Sequence, residues 1–301
     1  MNKDKLIFWI LYPVIFLLSK LPLWFLYGVS NLLYYLFYYV IKYRRSTIRK
    51  NLKLCFPEKS DKERLIIEKK SFHHFLDIFI EMLKGFGIPQ KEIDKRYKYI
   101  NPEVFREIEG LNKSVILLGA HYGNWEWLFN INHHTSLQCY GAYKRLKNKH
   151  FDKYVKENRS RFGSNFVQTN DTIPQIISNY RKGIPSMYGL LSDQTPHISK
   201  THYWAPFFGH TVPIHTGAEM LAKRFDFAVI YMHVAMPKRG YYEITFETLT
   251  TSPEKTEGYP LTDQYLRILE KDIAKCPELY FWTHKRFKYL GQAPKTEEPV
   301  A

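Results

Sequence analysis

Cysteine is scarce in this 301-residue chain: Cys55, Cys139 and Cys276 are odd in number, far apart and in no CxxC pair. That spacing supports neither a disulfide framework nor a zinc ribbon, and it fits a reducing cytoplasmic setting for the globular part. The histidines do not supply a metal site either. His73-His74 and His133-His134 are adjacent pairs without the spacing that ligands of one ion need, so no metal is expected. Acidic residues are outnumbered, 29 against 44 Lys and Arg, for a formal net charge of +15. Such a balance calls for an anionic partner, and nucleic acid, acidic phospholipid and an acidic carrier protein all qualify on charge. The chain has no helix-turn-helix pattern, zinc-finger spacing or RNA-binding aromatic motif. A nucleic-acid-binding reading, or any non-catalytic basic surface protein, therefore has charge as its only support. No internal repeat is present. The length allows one sizeable core, or a core plus a small appendage.

What is plentiful is apolar and aromatic: 45% hydrophobic residues, with 23 Tyr and 21 Phe. Much of it gathers at the amino terminus. Residues 6–18 and 23–41 contain no charge, with Ser19-Lys20-Leu21-Pro22 between them. The first run is short for a membrane span and contains Pro13. The second, as a helix, reaches roughly 28 Å, close to the thickness of a bilayer core. Its Tyr27, Tyr34, Tyr35, Tyr38 and Tyr39 also suit an interface, so an oblique placement is one alternative and a buried core helix another. No small-residue cleavage site follows, which argues against a removable signal peptide. Lys42, Arg44, Arg45, Arg49, Lys50 and Lys53 come next. By the positive-inside rule they keep the remainder in the cytoplasm beside anionic headgroups. The expectation is a membrane-anchoring helical segment over residues 1–45, a globular part over 46–290, and a polar, disordered tail over 291–301.

The globular part alternates strand and helix patterns. Residues 61–84 place Leu65, Phe72, Leu76, Phe79 and Leu83 on one helical face, with Ser60 or Asp61 to cap it and Gly85 to end it. Residues 89–98 read as a polar connection. Residues 114–120, 187–191 and 228–236 are apolar runs typical of buried strands, and 241–247 closes a hairpin after Pro237-Lys238-Arg239-Gly240. Helical patterns lie at 149–162, 172–182, 215–224 and 263–275. The order predicts an α/β fold: a mostly parallel or mixed central sheet flanked by helices.

The most informative stretch is 117–126, LLGAHYGNWE. A buried strand ends in small residues, His121 stands in the turn, and a helix begins near Asn124. Within one helix an offset of five turns two side chains about 140° apart. With His121 in the turn, its ring can fold back toward Glu126. A carboxylate in that place fixes the imidazole tautomer and leaves the other ring nitrogen to take a proton. Free N–H groups at the helix start suit an oxyanion or phosphate. By the residues alone a structural His–Glu contact is an equal reading. An apolar chain-length pocket is expected beside His121, but the pattern does not say which residues floor it.

His-x4-Glu at a strand end is the signature of the glycerolipid acyltransferase superfamily. The surrounding sequence resembles its bacterial lipid A late (lauroyl/myristoyl) acyltransferase branch, which also holds acyltransferases of mannosylated phosphatidylinositol. Residues 44–57 (RRSTIRKNLKLCFP), 142–148 (AYKRLKN), 158–163 (NRSRFG), 190–194 (LLSDQ), 205–209 (APFFG), 215–217 (HTG) and 280–288 (YFWTHKRFK) resemble its further blocks in order, over roughly residues 1–290. The resemblance implies His121 as base and Glu126 as its orienting partner. It implies an acyl thioester of acidic acyl carrier protein or coenzyme A as co-substrate, with no bound cofactor. Asn124, Arg145, Arg159, Arg161, Asp193 and Arg286 become candidate substrate contacts, with Arg159 or Arg161 for phosphate or the oxyanion. Trp282, His284 and Arg286 read either as a headgroup contact or as a packed element end. The bacterial inner membrane, with the catalytic part facing the cytoplasm, is the implied location. The implied acceptor is an anionic lipid, a lipid A precursor first. Tyr122-Gly123-Asn124-Trp125 is closer to the broad bacterial and mannoside-type versions, which leaves a lysophospholipid, glycolipid or aminolipid as alternatives.

Overall fold

The structure, a computed structural model, describes residues 3–253 and 257–294. Most of the tail expected from 291 onward, residues 295–301, lies outside the described residues. The chain opens with α1 (Lys3–Lys20) and α2 (Leu23–Tyr34), and α2 runs on through a π-helical turn, Tyr35–Val40. Then come α3 (Arg45–Cys55), α4 (Asp61–Gly85), α5 (Gln90–Arg96), β1 (Tyr97–Tyr99) and α6 (Val104–Gly110). The central run is β2 (Val115–Gly119), a 3-10 helix (Glu126–His133), β3 (Gln138–Tyr143), α7 (Lys149–Ser160), β4 (Asn165–Gln168), α8 (Thr172–Arg181) and β5 (Ser186–Leu191). It closes with β6 (Tyr203–Phe207), β7 (His210–Ile214), α9 (Gly217–Phe225), β8 (Ala228–Lys238), β9 (Tyr241–Thr250) and α10 (Pro260–Lys275).

Seven strands form one sheet in the order β1-β9-β8-β2-β5-β3-β4. Every neighbouring pair is parallel except the β8–β9 hairpin. The sheet is therefore α/β and mostly parallel, as the alternation predicts. β2 sits at its centre because all five of its residues are buried, which only a strand covered on both faces allows. β1, β3 and β4 escape a reading by pattern. They are three to six residues long, and no regular alternation marks them. Residues 90–96, expected as a connection, form α5. The small β6–β7 hairpin turns at Phe208 and Gly209, both with positive φ, the conformation a two-residue turn needs.

α4 starts where the sequence signals. Ser60 accepts from the Glu63 N–H and the Glu63 carboxylate accepts from the Ser60 N–H, a reciprocal cap. Its buried face differs from the one expected. Phe72 and Leu76 are covered, whereas Leu65 and Phe79 are exposed. Glu68, Asp77, Glu81 and Lys84 are buried instead. They hold the amino-terminal helices. Tyr38 donates to Glu68 at 2.8 Å, Ser30 to Asp77 at 2.6 Å and Tyr27 to Glu81 at 2.6 Å. Lys84 donates to the carbonyls of Ser19 and Leu21, each at 2.9 Å. Residues 23–41, read as a spanning or an oblique helix, form α2 and its π turn. No single described helix is long and apolar enough to cross a membrane, and α2 with its π turn meets α3 at a bend of 86°. One side of α2 is bonded to α4, while Trp24, Leu32, Tyr35 and Val40 lie exposed on it and its π turn.

Candidate active site

β2 and β5 are parallel and paired in register, with Gly119 opposite Leu191. The residues two beyond each, His121 and Asp193, therefore emerge side by side at the carboxyl edge of the sheet, where α/β folds gather their ligands. Asp193 Oδ1 lies 2.8 Å from the ring Nδ1 of His121 and accepts the His121 backbone N–H at 3.0 Å. The Asp193 side chain is 2% exposed and that of His121 21%. Burial works against the imidazolium, but the Asp193 carboxylate outweighs it, with Glu126 adding to the effect. The His121 pKa accordingly stands above its ordinary value. Burial pushes Asp193 up, yet the His121 bonds hold it below the usual carboxylate range.

The carboxylate on the His121 ring is thus Asp193, and not Glu126 as the spacing predicts. Two features of the loop explain this. Gly123 has φ +60°, and a Cβ there would fall 2.4 Å from Val234 Cγ1, so the turn takes a path open only to glycine. Residues 126–133 then wind as a 3-10 helix. Glu126 turns away and pairs with Arg159 from the end of α7.

A carboxy-terminal strip clamps both loops. Phe281 N donates to His121 O and Gly123 N to Leu279 O, each at 3.0 Å. Thr195 N donates to His284 Nε2 at 3.0 Å. Burial pushes the His284 pKa down to about 4 and keeps that ring neutral. Asn51 on α3 donates to the carbonyls of Trp282 and His284, both at 2.8 Å. One asparagine in a basic helix gives no sign in the sequence that it reaches across 231 positions.

Beside the pair lies a cavity of about 130 Å³, mostly apolar. Leu117, Leu128, Phe129, Ile131, Phe166 and Leu191 contribute to its wall, and Glu126 and Arg159 are its charged residues. Trp125 lines it too, with its ring centroid 5.0 Å from that of His121.

The remaining candidates lie elsewhere. Asn124 is fully buried. It donates to Glu81 at 2.6 Å and accepts from Trp127 N, so it holds the loop and is closed to a substrate. Arg161 donates to the carbonyls of Gly85 and Ile88, pinning the end of α4. Arg286 is 1% exposed, donates to Pro213 O at 3.1 Å and lies over the Phe207 ring, so it packs under the site, with its Nε and Nη2 buried and without a protein partner. Trp282 is buried in the same packing. Arg145 is exposed on the loop after β3, 3.9 Å from Asp152, outside the cavity wall. Among the described residues no group of three or more His, Cys, Asp or Glu is placed to hold a metal ion.

An α/β sheet with a histidine–carboxylate pair at its carboxyl edge, opening beside an apolar cavity, has the make-up of an enzyme that moves a greasy group. The family model for bacterial lipid A biosynthesis acyltransferases matches residues 3–289, and the chain belongs to that family. It is an acyltransferase for groups other than aminoacyl groups. Among its relatives is the lipid A biosynthesis palmitoleoyltransferase of Escherichia coli (strain K12), 26% identical over 254 residues, 82% of this chain and 80% of the relative. The lipid A biosynthesis lauroyltransferase of the same organism is 24% identical over 282 residues, 93% of this chain and 90% of the relative. A lipid A biosynthesis acyltransferase of Haemophilus influenzae is 23% identical over 253 residues, 81% of this chain and 78% of the relative.

Proposed function

We propose that the protein transfers a fatty acyl group from the thioester of acyl carrier protein or coenzyme A to a hydroxyl of a lipid A precursor, at the cytoplasmic surface of the bacterial inner membrane. The observation that carries this reading is the His121–Asp193 pair beside an apolar cavity. The names of the relatives support an acyl donor and a lipid A acceptor.

In this mechanism Asp193 accepts the Nδ1–H of His121 and leaves the Nε2 lone pair free. Nε2 takes the proton of the acceptor hydroxyl as its oxygen attacks the thioester carbonyl carbon. The carbonyl electron pair moves onto oxygen, and Asp193 stabilises the imidazolium. When the tetrahedral intermediate collapses, the C–S bond breaks and the departing thiolate takes the proton back from Nε2. The acyl chain lies in the cavity. Arg159, held by Glu126, supplies positive charge for a phosphate or the developing oxyanion. Glu126 acts through Arg159 and through its field on His121, and Asp193 is the orienting group. The +15 net charge favours encounter with an acidic carrier and with anionic headgroups.

The test incubates purified, detergent-solubilised protein with labelled acyl carrier protein and coenzyme A thioesters and a panel of lipid acceptors, with products read by mass spectrometry. His121→Ala, Asp193→Asn and Glu126→Ala proteins serve as controls. Acylated lipid A precursor formed by the parent protein and lost in His121→Ala is the expected result. Transfer to another lipid keeps the chemistry and moves the acceptor. No transfer from either donor sinks the reading.

A further inference from the structure

One row of residues crosses four strands under the cavity. The parallel register sets Leu117 of β2 against Gly189 of β5, Gly189 against Gly141 of β3, and Gly141 against Phe166 of β4. All four line the cavity. Side chains alternate along a strand, so Met187, Gly189 and Leu191 share a face, as do Cys139 and Gly141. Gly189 therefore leaves a gap along β5, with Met187 on one side of it and Leu191 on the other.

Two adjacent glycines weaken a sheet by about 0.5–1 kcal/mol each, so their presence needs a reason. Backbone conformation does not supply one, since neither residue has a positive φ. Packing requires a glycine at only one of them. A Cβ on Gly141 would come 3.0 Å from the Phe166 ring, so its absence lets that ring lie across β3. A Cβ on Gly189 would meet only Tyr140 O at 3.7 Å, an ordinary contact. What Gly189 contributes is empty space in the cavity. From Leu191 to Met187 the strand runs about 13 Å, a depth suited to a stretched hydrocarbon chain.

We propose that Gly189, beside the Phe166 ring that lies over Gly141, determines how long an acyl chain this enzyme accepts, by leaving its part of the cavity floor without a side chain. This rests on the cavity being the acyl site. A methyl at position 189 raises the floor slightly, and valine and leucine close it progressively, so each step excludes longer chains while leaving the His121–Asp193 pair in place.

The experiment uses the full-length protein and its Gly189→Ala, Gly189→Val and Gly189→Leu variants, each offered an equimolar ladder of saturated acyl carrier protein thioesters with one lipid acceptor. The chain transferred is read by mass spectrometry. The expected result is a graded shift toward shorter chains, with the ratio of long to short product falling about tenfold or more for Gly189→Leu. Turnover with the shortest chains is retained. An unchanged ratio in Gly189→Ala and in any larger variant that melts at the parent temperature overturns the proposal, as does an equal loss at every length. Gly189→Ala keeps the test decisive, because its methyl displaces nothing. If the parent protein transfers no chain at all, the acyl-site reading itself falls, and the chain-length proposal with it.

Discussion

Asp193 Oδ1 receives both the ring Nδ1 and the backbone N–H of His121, and this pair of bonds defines which nitrogen of the ring is left to react. Replacing Asp193 by Asn keeps the shape but offers an amide that can bond the wrong tautomer. Turnover should fall by about 10³-fold with KM little changed, as measured by steady-state kinetics. The pH dependence follows with its sign. In the proposed mechanism the base is neutral His121, and its pKa lies above the ordinary 6.5 because the carboxylate beside it outweighs burial. The rate should therefore rise with pH through a midpoint above 6.5. In Asp193→Asn burial remains and the favourable charge is gone, so the midpoint of the residual activity should move down. A midpoint that stays in place would assign the titration to another group.

At the scale of elements, α4 is the keel on which the site is mounted. The Glu81 carboxylate is fully buried and accepts from Tyr27 of α2, Tyr242 of β9 and Asn124 of the His121 loop. One side chain thus joins the amino-terminal helices, the sheet and the His121 loop. Glu81→Ala leaves three donors without an acceptor, two of them buried, and should cost about 3 kcal/mol or more, read as a lower urea midpoint. Glu81→Gln keeps an acceptor oxygen and should cost less. Amphipathic periodicity could not find this arrangement. It looks for apolar residues on the inner face of a helix, whereas α4 buries Glu68, Asp77, Glu81 and Lys84 because their partners arrive from other elements.

For the whole molecule the question is how the greasy amino terminus meets its surroundings. Ile10, Leu17, Trp24, Leu32 and Val40 are exposed, and Lys42, Arg44 and Arg49 follow. A face of this kind suits a bilayer interface, with the basic residues against anionic headgroups. Removing a large apolar residue from such a contact costs about tenfold in affinity. Trp24→Glu and Ile10→Glu should therefore each weaken flotation with vesicles containing anionic lipid, and added salt should weaken the parent's binding as well. Binding unaltered by either change would show that this face is not the contact. The polar bonds from α2 to α4 would hold these helices against the enzyme on or off the membrane.

Local information carried much of this protein. The apolar run at β2, the Ser60 cap of α4, the β8–β9 hairpin and the strand–helix alternation all depend on residues near one another in the chain, and they could be read there. The blocks around His121 likewise pointed to the acyltransferase family. The partner of His121 could not be read that way. It sits 72 positions away and is decided by the parallel register of β2 and β5, which places Asp193 opposite His121. The same holds for the burial of Asn124, the pinning of Arg161 under α4, the packing of Arg286 and the gap that Gly189 leaves on β5. Each depends on which strand lies beside which and on what side chain fills the space between. That outcome emerges only when distant segments compete for the same interior.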